Sequence, residues 1–168
     1  MIPLLAEVNA LLSISTLTLA TAGPSQPDVT SLHTAPPHAA AVYFTADLPV
    51  RDSLRGLRLY FFSDPTSQHG QDLHANPQAA AAIYPAVSGW QEIRGLQLHG
   101  AAHILPPGST WEAAWQLYQI KFPFVSGLKA ILQRNALYEF IPSWLRLVDN
   151  RRGFGFKQEW ELADLHGS

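Results

Sequence analysis

Residues 57–77 read LRLYFFSDPTSQHGQDLHANP, and this segment guides the interpretation of the whole chain. It opens as an apolar strand, Leu57–Ser63, and a short turn at Asp64-Pro65 follows. Thr66–Ala75 has the composition of a helix, which Asn76-Pro77 ends because a proline disfavours helical backbone in the residue before it. Hydroxyls and unpaired backbone N–H groups at a helix start suit a phosphate. The segment therefore predicts a site for a phosphate-bearing cofactor without identifying it.

Length and composition bound the class of protein. The chain has 168 residues, so one domain spanning residues 1–168 is expected. Hydrophobic residues make up 47% and charged residues 14%, with five Trp, five Tyr and eight Phe. So little charge and so many aromatic residues favour a partner, most simply a second copy of the chain, that covers apolar surface. A monomer with a large core explains the same composition.

Charge and cysteine content exclude several function classes. The net charge is −2 and the eleven Lys and Arg residues are scattered, so no nucleic-acid partner is expected. The absence of cysteine excludes disulfides, thiolate metal sites, iron–sulfur clusters and cysteine nucleophiles. A protein without disulfides fits a cytoplasmic location, which is the expected one.

The N-terminal segment, Met1–Ala22, is mostly apolar and ends in a sequence that faintly resembles a signal peptidase site. However, no Lys or Arg precedes Arg51, whereas a secretory signal begins with positive charge. Its apolar residues recur at helical spacing: Leu4, Leu5, Val8, Leu11 and Leu12. We interpret the segment as a short amphipathic helix followed by a strand, Ser15–Ala22. No other segment is long and apolar enough for a membrane span, so no membrane partner is expected.

Further strands follow along the chain. They are predicted at Ala39–Ala46, Gln78–Tyr84, Ile93–Leu105, Ala136–Ile141, Ser143–Val148 and Lys157–Leu162. Glycines inside the long strand, Gly95 and Gly100, indicate bulges or barrel corners. Because the strands do not alternate regularly with helices, their order favours an antiparallel β-barrel with helical additions.

Two helices and a long loop are predicted between these strands. Ser109 and Glu112 have the spacing of a capping box at the start of one helix. Four aromatic residues share a face of that helix and are interpreted as core or interface: Trp111, Trp115, Tyr118 and Phe122. A second, less regular helix is predicted at Phe122–Arg134, and Gly23–His38 is a long loop.

Several short motifs occur in a characteristic order. They are LATA at 19–22, VYF at 42–44, LYFFS followed by Thr-Ser-x-His at 59–69, Asn-Pro at 76–77 and RGxxxxG at 94–100. This order resembles the pyridoxamine-phosphate-oxidase-like split barrels, which are homodimers that bind FMN at the subunit interface. The closing WLRLVDNxxGFGxK, at 144–157, resembles one poorly characterised branch of that superfamily. The resemblance covers residues 15–162, and the order is more specific than any single motif.

The resemblance implies a mainly β fold, a six-stranded antiparallel split β-barrel with peripheral helices. It implies a homodimer and an FMN-dependent oxidoreductase acting on a small molecule. Backbone groups around Phe62 and Ser63 would bond the polar edge of the isoalloxazine ring. The implied contacts of the ribityl chain and phosphate are Thr66, Ser67, Gln68 and His69. Trp90 and Gln91 would approach from the loop before the long strand, from the same chain or from the partner.

One departure from the family pattern concerns the phosphate. Many FMN-binding members carry Arg and Lys where this chain has Gln68 and His69. Charge-assisted hydrogen bonds from Arg or Lys are the stronger ones, so weaker FMN binding is expected. His69 compensates only if it is protonated. The candidate sources of charge from elsewhere in the chain are Arg55, Arg58 and Arg94.

Other functions stay open at this point. A non-catalytic module that binds or senses flavin or haem is the main alternative, with His33 or His38 as a haem contact. A structural dimer with an empty pocket is a third. No catalytic residue is named, and the substrate is expected near the Gly23–His38 loop, Trp90 and the Arg151-Arg152 turn.

Two constellations are weaker. A hydrolase triad of Ser63, His69 and Asp72 lacks the Gly-x-Ser-x-Gly nucleophile elbow. His99 and His103 share one side of a strand, provided that Gly100 is not a bulge, but two ligands are too few for a metal site.

Overall fold

The computed structural model describes residues 4–23, 36–50, 53–128, 132 and 134–162. The helices within these ranges are α1 (Leu5–Leu12), α2 (Gln68–Ala75) and α3 (Ser109–Lys121). The strands are β1 (Thr16–Thr21), β2 (His38–Asp47), β3 (Arg58–Ser63), β4 (Gln78–Ile83), β5 (Arg94–Ile104), β6 (Ala136–Asp149) and β7 (Lys157–Glu161). Among these helices, none is long and apolar enough to cross a membrane.

The strands form one antiparallel sheet in the order β3-β2-β1-β4-β5-β6-β7. An additional antiparallel pairing of β3 with β6 closes the first six strands into a barrel. The seventh strand, β7, lies outside the barrel against β6. The predicted six-stranded antiparallel barrel is therefore confirmed, and the fold is mainly β.

The barrel interior follows from the period-2 alternation of each strand. In β1, Leu17, Leu19 and Thr21 are buried while the intervening residues are more exposed. Large apolar side chains from the other strands fill the same interior, among them Phe44, Phe61, Phe140, Leu96 and Leu98. Burying one such side chain contributes about 1.5–3 kcal/mol, so this interior is the main source of stability.

Helices α1 and α2 cover opposite ends of the barrel. Val8 and Leu11 of α1 are buried in the core, and Glu7 lies 3.3 Å from Arg94, the first residue of β5. Leu73 of α2 is buried in the same core, and this helix connects the end of β3 to the start of β4. We call these the α1 end and the α2 end.

Helix α3 packs on the outside of the barrel. Its Trp115 and Tyr118 rings lie edge-on to Phe62 of β3, at 5.7 and 5.1 Å between centroids. Ala114 of α3 is buried in a cluster with Leu137 of β6. The interpretation of the aromatic stripe as packing surface is confirmed.

Residues 136–149 form one strand where two were predicted. The register of the β5–β6 ladder shifts between His99 and Gly100, which pair with Trp144 and Pro142. Ser143 is therefore an extra residue on β6, and a β-bulge tolerates the proline beside it. The bulge brings β6 so close that a Cβ on Gly100 would lie 2.1 Å from the Ile141 carbonyl oxygen.

Helix boundaries differ from the prediction in two places. Helix α2 begins at Gln68, because Ser67 is its N-cap and accepts a hydrogen bond from the Gly70 N–H. The predicted capping box of Ser109 and Glu112 is wrong: Gly108 is the N-cap of α3 and no side chain caps it. After α3, the chain forms a 3₁₀ helix at Pro123–Leu128. The rest of the predicted second helix falls partly outside the described residues, as do residues 24–35 of the predicted loop.

Candidate functional site

Three predicted site residues meet at the α2 end. Ser63 ends β3 on its inward side, and its hydroxyl is hydrogen-bonded to Nε2 of His69. The Ser67 hydroxyl lies 3.2 Å from the same Nε2 atom. The N-cap position of Ser67 and the early helical position of His69 turn both side chains back towards the strand end. We call Ser63, Ser67 and His69 the polar cluster.

His38 joins the polar cluster from β2. Its ring stacks on the His69 ring, with 5.9 Å between centroids and 7° between planes. Sequence reasoning considered His38 only as a loop residue, because the contact depends on where the start of β2 lies relative to α2. Burial lowers the pKa of His69, and the neighbouring His38 lowers it further. His69 is therefore neutral at neutral pH and does not supply the missing positive charge.

Asp64 places a negative charge beside the polar cluster. Its carboxylate accepts hydrogen bonds from the Thr66 N–H at 2.8 Å and from the Thr66 hydroxyl at 2.7 Å. These bonds hold the pKa of Asp64 below its usual value, so the carboxyl is ionised at neutral pH. The donors of Thr66 are thus already engaged with an anion.

Gln68 is an exposed residue whose side chain is bonded to the buried Asp72 of the same helix. Its amide donates to one oxygen of Asp72 at 2.8 Å, and the Thr21 hydroxyl donates to the other oxygen at 2.8 Å. Asp72 is buried, and its two oxygens bond the Gln68 amide and the Thr21 hydroxyl, not the His69 ring. Ser63 and His69 are therefore in contact, but Asp72 does not bond the His69 ring as the third member of a hydrolase triad would.

A gap between β2 and β3 opens beside the polar cluster. The β2–β3 ladder ends at the pair Phe44–Phe61, whereas the β3–β6 ladder continues to Ser63. The backbone of Phe62 and Ser63 therefore pairs with β6 on one side, whereas on the other side it is not part of the ladder with β2. At the edge of the gap, the Tyr118 hydroxyl donates to the Tyr43 carbonyl oxygen at 3.3 Å.

Trp90 and Gln91 lie far from the polar cluster within one chain. They form a 3₁₀ turn between β4 and β5 at the α1 end. The six residues of β4 separate this turn from α2 by about 20 Å. The Trp90 ring is 53% exposed and packs edge-on to Phe154, 5.5 Å between centroids. The fold therefore does not bring these two residues to the other predicted contacts of the same chain.

The three arginines expected to supply charge also lie towards the α1 end. Arg58 begins β3 and pairs with Glu139 at 3.2 Å. Arg94 begins β5 and pairs with Glu7, and Arg55 precedes β3. None of the three is placed beside α2.

Arg134 is a cation that sequence reasoning missed. It is exposed and lies two residues before Ala136, which pairs with Ser63 in the β3–β6 ladder. Only the long-range pairing of β3 with β6 brings it to the α2 end, so no local pattern indicated it.

The polar cluster fits one part of FMN better than another. Its hydroxyls and neutral imidazole suit the hydroxyl groups of a ribityl chain. The ionised Asp64 and the neutral His69 do not suit a phosphate that carries close to two negative charges. The donor set therefore matches the polyol, and the charges do not match the phosphate.

The remaining constellations have structural explanations. Arg151 and Arg152, expected near a substrate, both pair with Asp149, whose side chain is 1% exposed. His99 and His103 are both exposed on β5. Within the described part of the chain, no group of three or more His, Cys, Asp or Glu residues is placed to hold a metal ion.

Comparison with known proteins agrees with this architecture. The sequence is 27% identical over 105 residues to the UPF0306 protein plu4501 of Photorhabdus laumondii, which spans 62% of this chain and 69% of that protein. The fold resembles a heme binding protein from Mycobacterium smegmatis, with a TM-score of 0.66 and 20% identity. That match covers 91% of this chain and 55% of the mycobacterial one, so this chain spans about half its length.

A second structural relative comes from Clostridium acetobutylicum and is described as related to general stress protein 26, of the pyridoxinephosphate oxidase family. It matches with a TM-score of 0.59 and 17% identity over 97% of both chains. At these identities the two structures show a shared fold alone. A sequence profile of pyridoxamine 5'-phosphate oxidase matches residues 4–149, which is most of the chain. The chain therefore belongs to the pyridoxamine 5'-phosphate oxidase family.

Proposed function

We propose that this chain binds FMN at the α2 end and acts as an FMN-dependent oxidoreductase on a small molecule. The observation that carries the proposal is the polar cluster beside the gap where the β2–β3 ladder ends. When bound, the flavin supplies the redox chemistry, and the protein binds and orients it.

Each site residue has a distinct role in this proposal. Backbone groups of Phe62 and Ser63, which β2 does not pair, bond the polar edge of the ring system. Ser67 and His69 bond the ribityl hydroxyls. Gln68 fixes the helix start through Asp72. Thr66 keeps its bonds to Asp64 and lies at the edge of the site.

The phosphate needs a cation from outside the polar cluster. Arg134 is exposed, and the pairing of β3 with β6 brings it to the α2 end. We therefore assign the phosphate contact to Arg134. Because an exposed charge is screened by solvent, its contribution is modest. FMN is therefore expected to bind only slightly more tightly than riboflavin, which has the same ring and ribityl chain without the phosphate.

We also propose that the active form is a homodimer in the cytoplasm, with the cofactor at the interface. The outward side chains of β1, β2 and β4 are mostly small and uncharged: Thr16, Thr18, Ala20, Ala39, Ala41, Ala80 and Ala82. Such a flat face suits self-association. In a dimer, Trp90 and Gln91 of the second copy would approach the polar cluster that they do not reach within one chain.

A second candidate is a flavin- or haem-binding module without turnover. Two observations favour it: the charges around Asp64 and His69 oppose a phosphate, and the polar cluster contains no acid that is protonated at neutral pH. Imidazole nitrogen is a common ligand of haem iron, and His38 and His69 place two imidazole rings side by side. The fold shared with a heme binding protein is consistent with this candidate.

The deciding experiment is an absorbance spectrum of the purified protein, repeated after incubation with FMN and desalting. Retained flavin bands that NAD(P)H bleaches support the oxidoreductase. Retained flavin that NAD(P)H does not reduce, or a Soret band, supports the binding module. A bare protein spectrum in both samples overturns both candidates.

A matched pair of variants tests the location of the site. Ser63→Ala removes a hydroxyl of the polar cluster and should weaken flavin retention. Ser13→Ala removes an exposed hydroxyl next to α1 and should leave retention unchanged. Equal retention by both variants contradicts the proposed location.

A further inference from the structure

The turn between β6 and β7 carries an aromatic residue at its tip. Phe154 lies between Gly153 and Gly155 in the closing motif of the chain, and its side chain is 85% exposed. The two glycines have φ values of 135° and 72°, and a Cβ on either would meet no atom within 4 Å. Backbone conformation and not crowding therefore favours glycine at both positions, and this conformation sets the direction in which Phe154 projects.

Phe154 and Trp90 form one exposed unit, which we call the aromatic pair. Their rings meet edge-on, with 5.5 Å between centroids and 79° between planes, although they belong to different turns. Asn150 joins the two turns, because its side-chain amide donates to the Trp90 carbonyl oxygen at 2.8 Å and its side-chain oxygen accepts from the Gly155 N–H at 3.0 Å. The Asn150 backbone N–H also donates to the Ile93 carbonyl oxygen at 2.9 Å. Hydrogen bonds therefore fix the position of the aromatic pair.

The aromatic pair contributes little to packing within one chain. Both rings are more than half exposed, and every residue from 150 to 159 is exposed or half-buried. A polar residue at the tip of the turn would serve the turn equally well. Exposed aromatic clusters are typical of surfaces that a partner covers, because large rings gain most from removal from water. Phe154 is therefore better explained by a contact outside its own chain.

A second copy of the chain is the partner that the fold favours. The outward face of β1, β2 and β4 is mostly small and uncharged, Trp90 follows β4 at the α1 end, and His38 begins β2 at the α2 end. When two such faces pack about a two-fold axis that crosses the strands, the strand directions of the two copies are opposed. The α1 end of each copy then lies over the α2 end of the other, which brings the aromatic pair to the other copy's polar cluster.

Charges of opposite sign lie at the two ends. Arg152 is exposed in the turn that precedes Phe154, and its neighbour Asp149, 3.5 Å away, is already bonded by Arg151. At the α2 end, Asp64 is exposed and ionised. Within the described residues, no Lys or Arg forms an ion pair with Asp64. The opposed arrangement therefore brings a cation of one copy to the end of the other copy that holds an ionised carboxylate.

We propose that Phe154 contacts flavin in trans: the aromatic pair of one copy covers the ring system of the flavin held at the polar cluster of the other copy. This role of Phe154 rests on the proposed flavin site and adds to it a binding residue that the site within one chain lacks. The flat isoalloxazine ring suits aromatic side chains, which bind other rings in offset-stacked or edge-on contacts. Each flavin site is then incomplete without the second copy.

The first experiment measures FMN affinity of the full-length protein by flavin fluorescence. Phe154→Ala should weaken FMN binding about tenfold, because an aromatic contact with the ring system is lost. Ile120→Ala, at a side chain on α3 that is 77% exposed, is the control and should bind FMN as wild type does. Unchanged affinity in Phe154→Ala overturns the role of Phe154 and leaves the flavin site standing. Absence of FMN binding by wild type overturns both.

A mixed dimer tests which copy supplies Phe154. Ser63→Ala and Phe154→Ala chains with different affinity tags are coexpressed, and the dimer that carries both tags is purified. If Phe154 acts in trans, one site has both substitutions and the other has neither, so half of the sites bind FMN with wild-type affinity. If Phe154 acts within its own chain, every site has one substitution. Absence of a wild-type site therefore overturns the contact in trans.

Cross-linking tests the arrangement without flavin. Because the chain has no cysteine, Phe154→Cys and His38→Cys place thiols at these two positions alone. A short bis-maleimide should join the double variant into a covalent dimer on a denaturing gel, and it should join neither single variant, whose thiols lie at opposite ends of the dimer. Phe154→Cys combined with Ser13→Cys has both thiols at the α1 end and should give no covalent dimer. Equal yields from the two double variants, or a monomer in sedimentation, overturn the proposal.

Discussion

The Ser63 hydroxyl and Nε2 of His69 are hydrogen-bonded, which ties the last residue of β3 to the start of α2. The bond occupies one of the two imidazole nitrogens of His69. Because burial and the stacked His38 ring keep His69 neutral, the site binds polar groups without attracting negative charge. The proposed weak preference for FMN over riboflavin follows from this arrangement.

A lysine at position 69 should restore phosphate recognition. We expect His69→Lys to raise the FMN affinity about tenfold and to leave riboflavin affinity unchanged or lower, because only FMN carries the phosphate. Flavin fluorescence quenching measures both constants. His74→Lys, at an exposed position in the last turn of α2, is the control and should not change the FMN-to-riboflavin ratio. Equal gains for both flavins in His69→Lys would contradict a phosphate position next to the polar cluster.

Asp149 should make stability depend on pH in acid. Hydrogen bonds from the Arg151 side chain hold the pKa of Asp149 below its usual value of 3.8. A lowered pKa in the folded state stabilises the protein above pH 3.8, and this contribution is lost as the pH falls through the folded-state value. At neutral pH, Asp149→Asn should therefore reduce the free energy of unfolding by about 1.5–3 kcal/mol. The difference from wild type should shrink in acid, as urea unfolding can measure; a constant difference would contradict the ion pair.

Lys121 should make stability rise with pH in alkali. Its ammonium lies 4.1 Å from the centre of the Phe44 ring and donates to the carbonyl oxygens of Leu12 and Ile14, near the end of α1. Burial lowers the pKa of Lys121 from 10.5 to about 8. Between these two values the unfolded chain binds the extra proton, so folding becomes more favourable as pH rises.

The comparison of Lys121→Met with wild type isolates this effect. Unfolding free energies measured between pH 8 and pH 10.5 should show wild type gaining stability relative to Lys121→Met. Lys157→Met, at an exposed position of β7, should follow wild type across the same range. If the unfolding free energy of Lys121→Met has the same pH dependence as that of wild type, the pKa of Lys121 is not lowered.

Gly100 should not tolerate a side chain. A Cβ there would lie 2.1 Å from the Ile141 carbonyl oxygen, so Gly100→Ala must push β5 away from β6 at the bulge. We expect a loss of about 1–3 kcal/mol in unfolding free energy. Gly127→Ala, where a Cβ meets open space, is the matched control. Similar melting temperatures for the two variants would contradict the close approach of the strands.

The sequence predicted most strands and the start of α2 to within a few residues. Alternating apolar residues such as Leu17 and Leu19 define a strand locally, and Ser67 signals a helix start by its own hydroxyl. Local patterns failed to predict strand boundaries where pairing with a strand distant in sequence decides them. Two strands were predicted on either side of Pro142, but the bulge opposite Gly100 lets one strand continue through it.

The sequence by itself therefore determined the fold family and the polar segment at the end of β3, because both follow from local periodicity, caps and motif order. The tertiary structure alone decided which groups meet. It stacked His38 on His69 and separated Trp90 from the polar cluster by the length of β4. It also left the buried Tyr138 hydroxyl without a hydrogen-bond partner among the described residues. Each of these relationships depends on pairing between residues far apart in sequence, which no short pattern encodes.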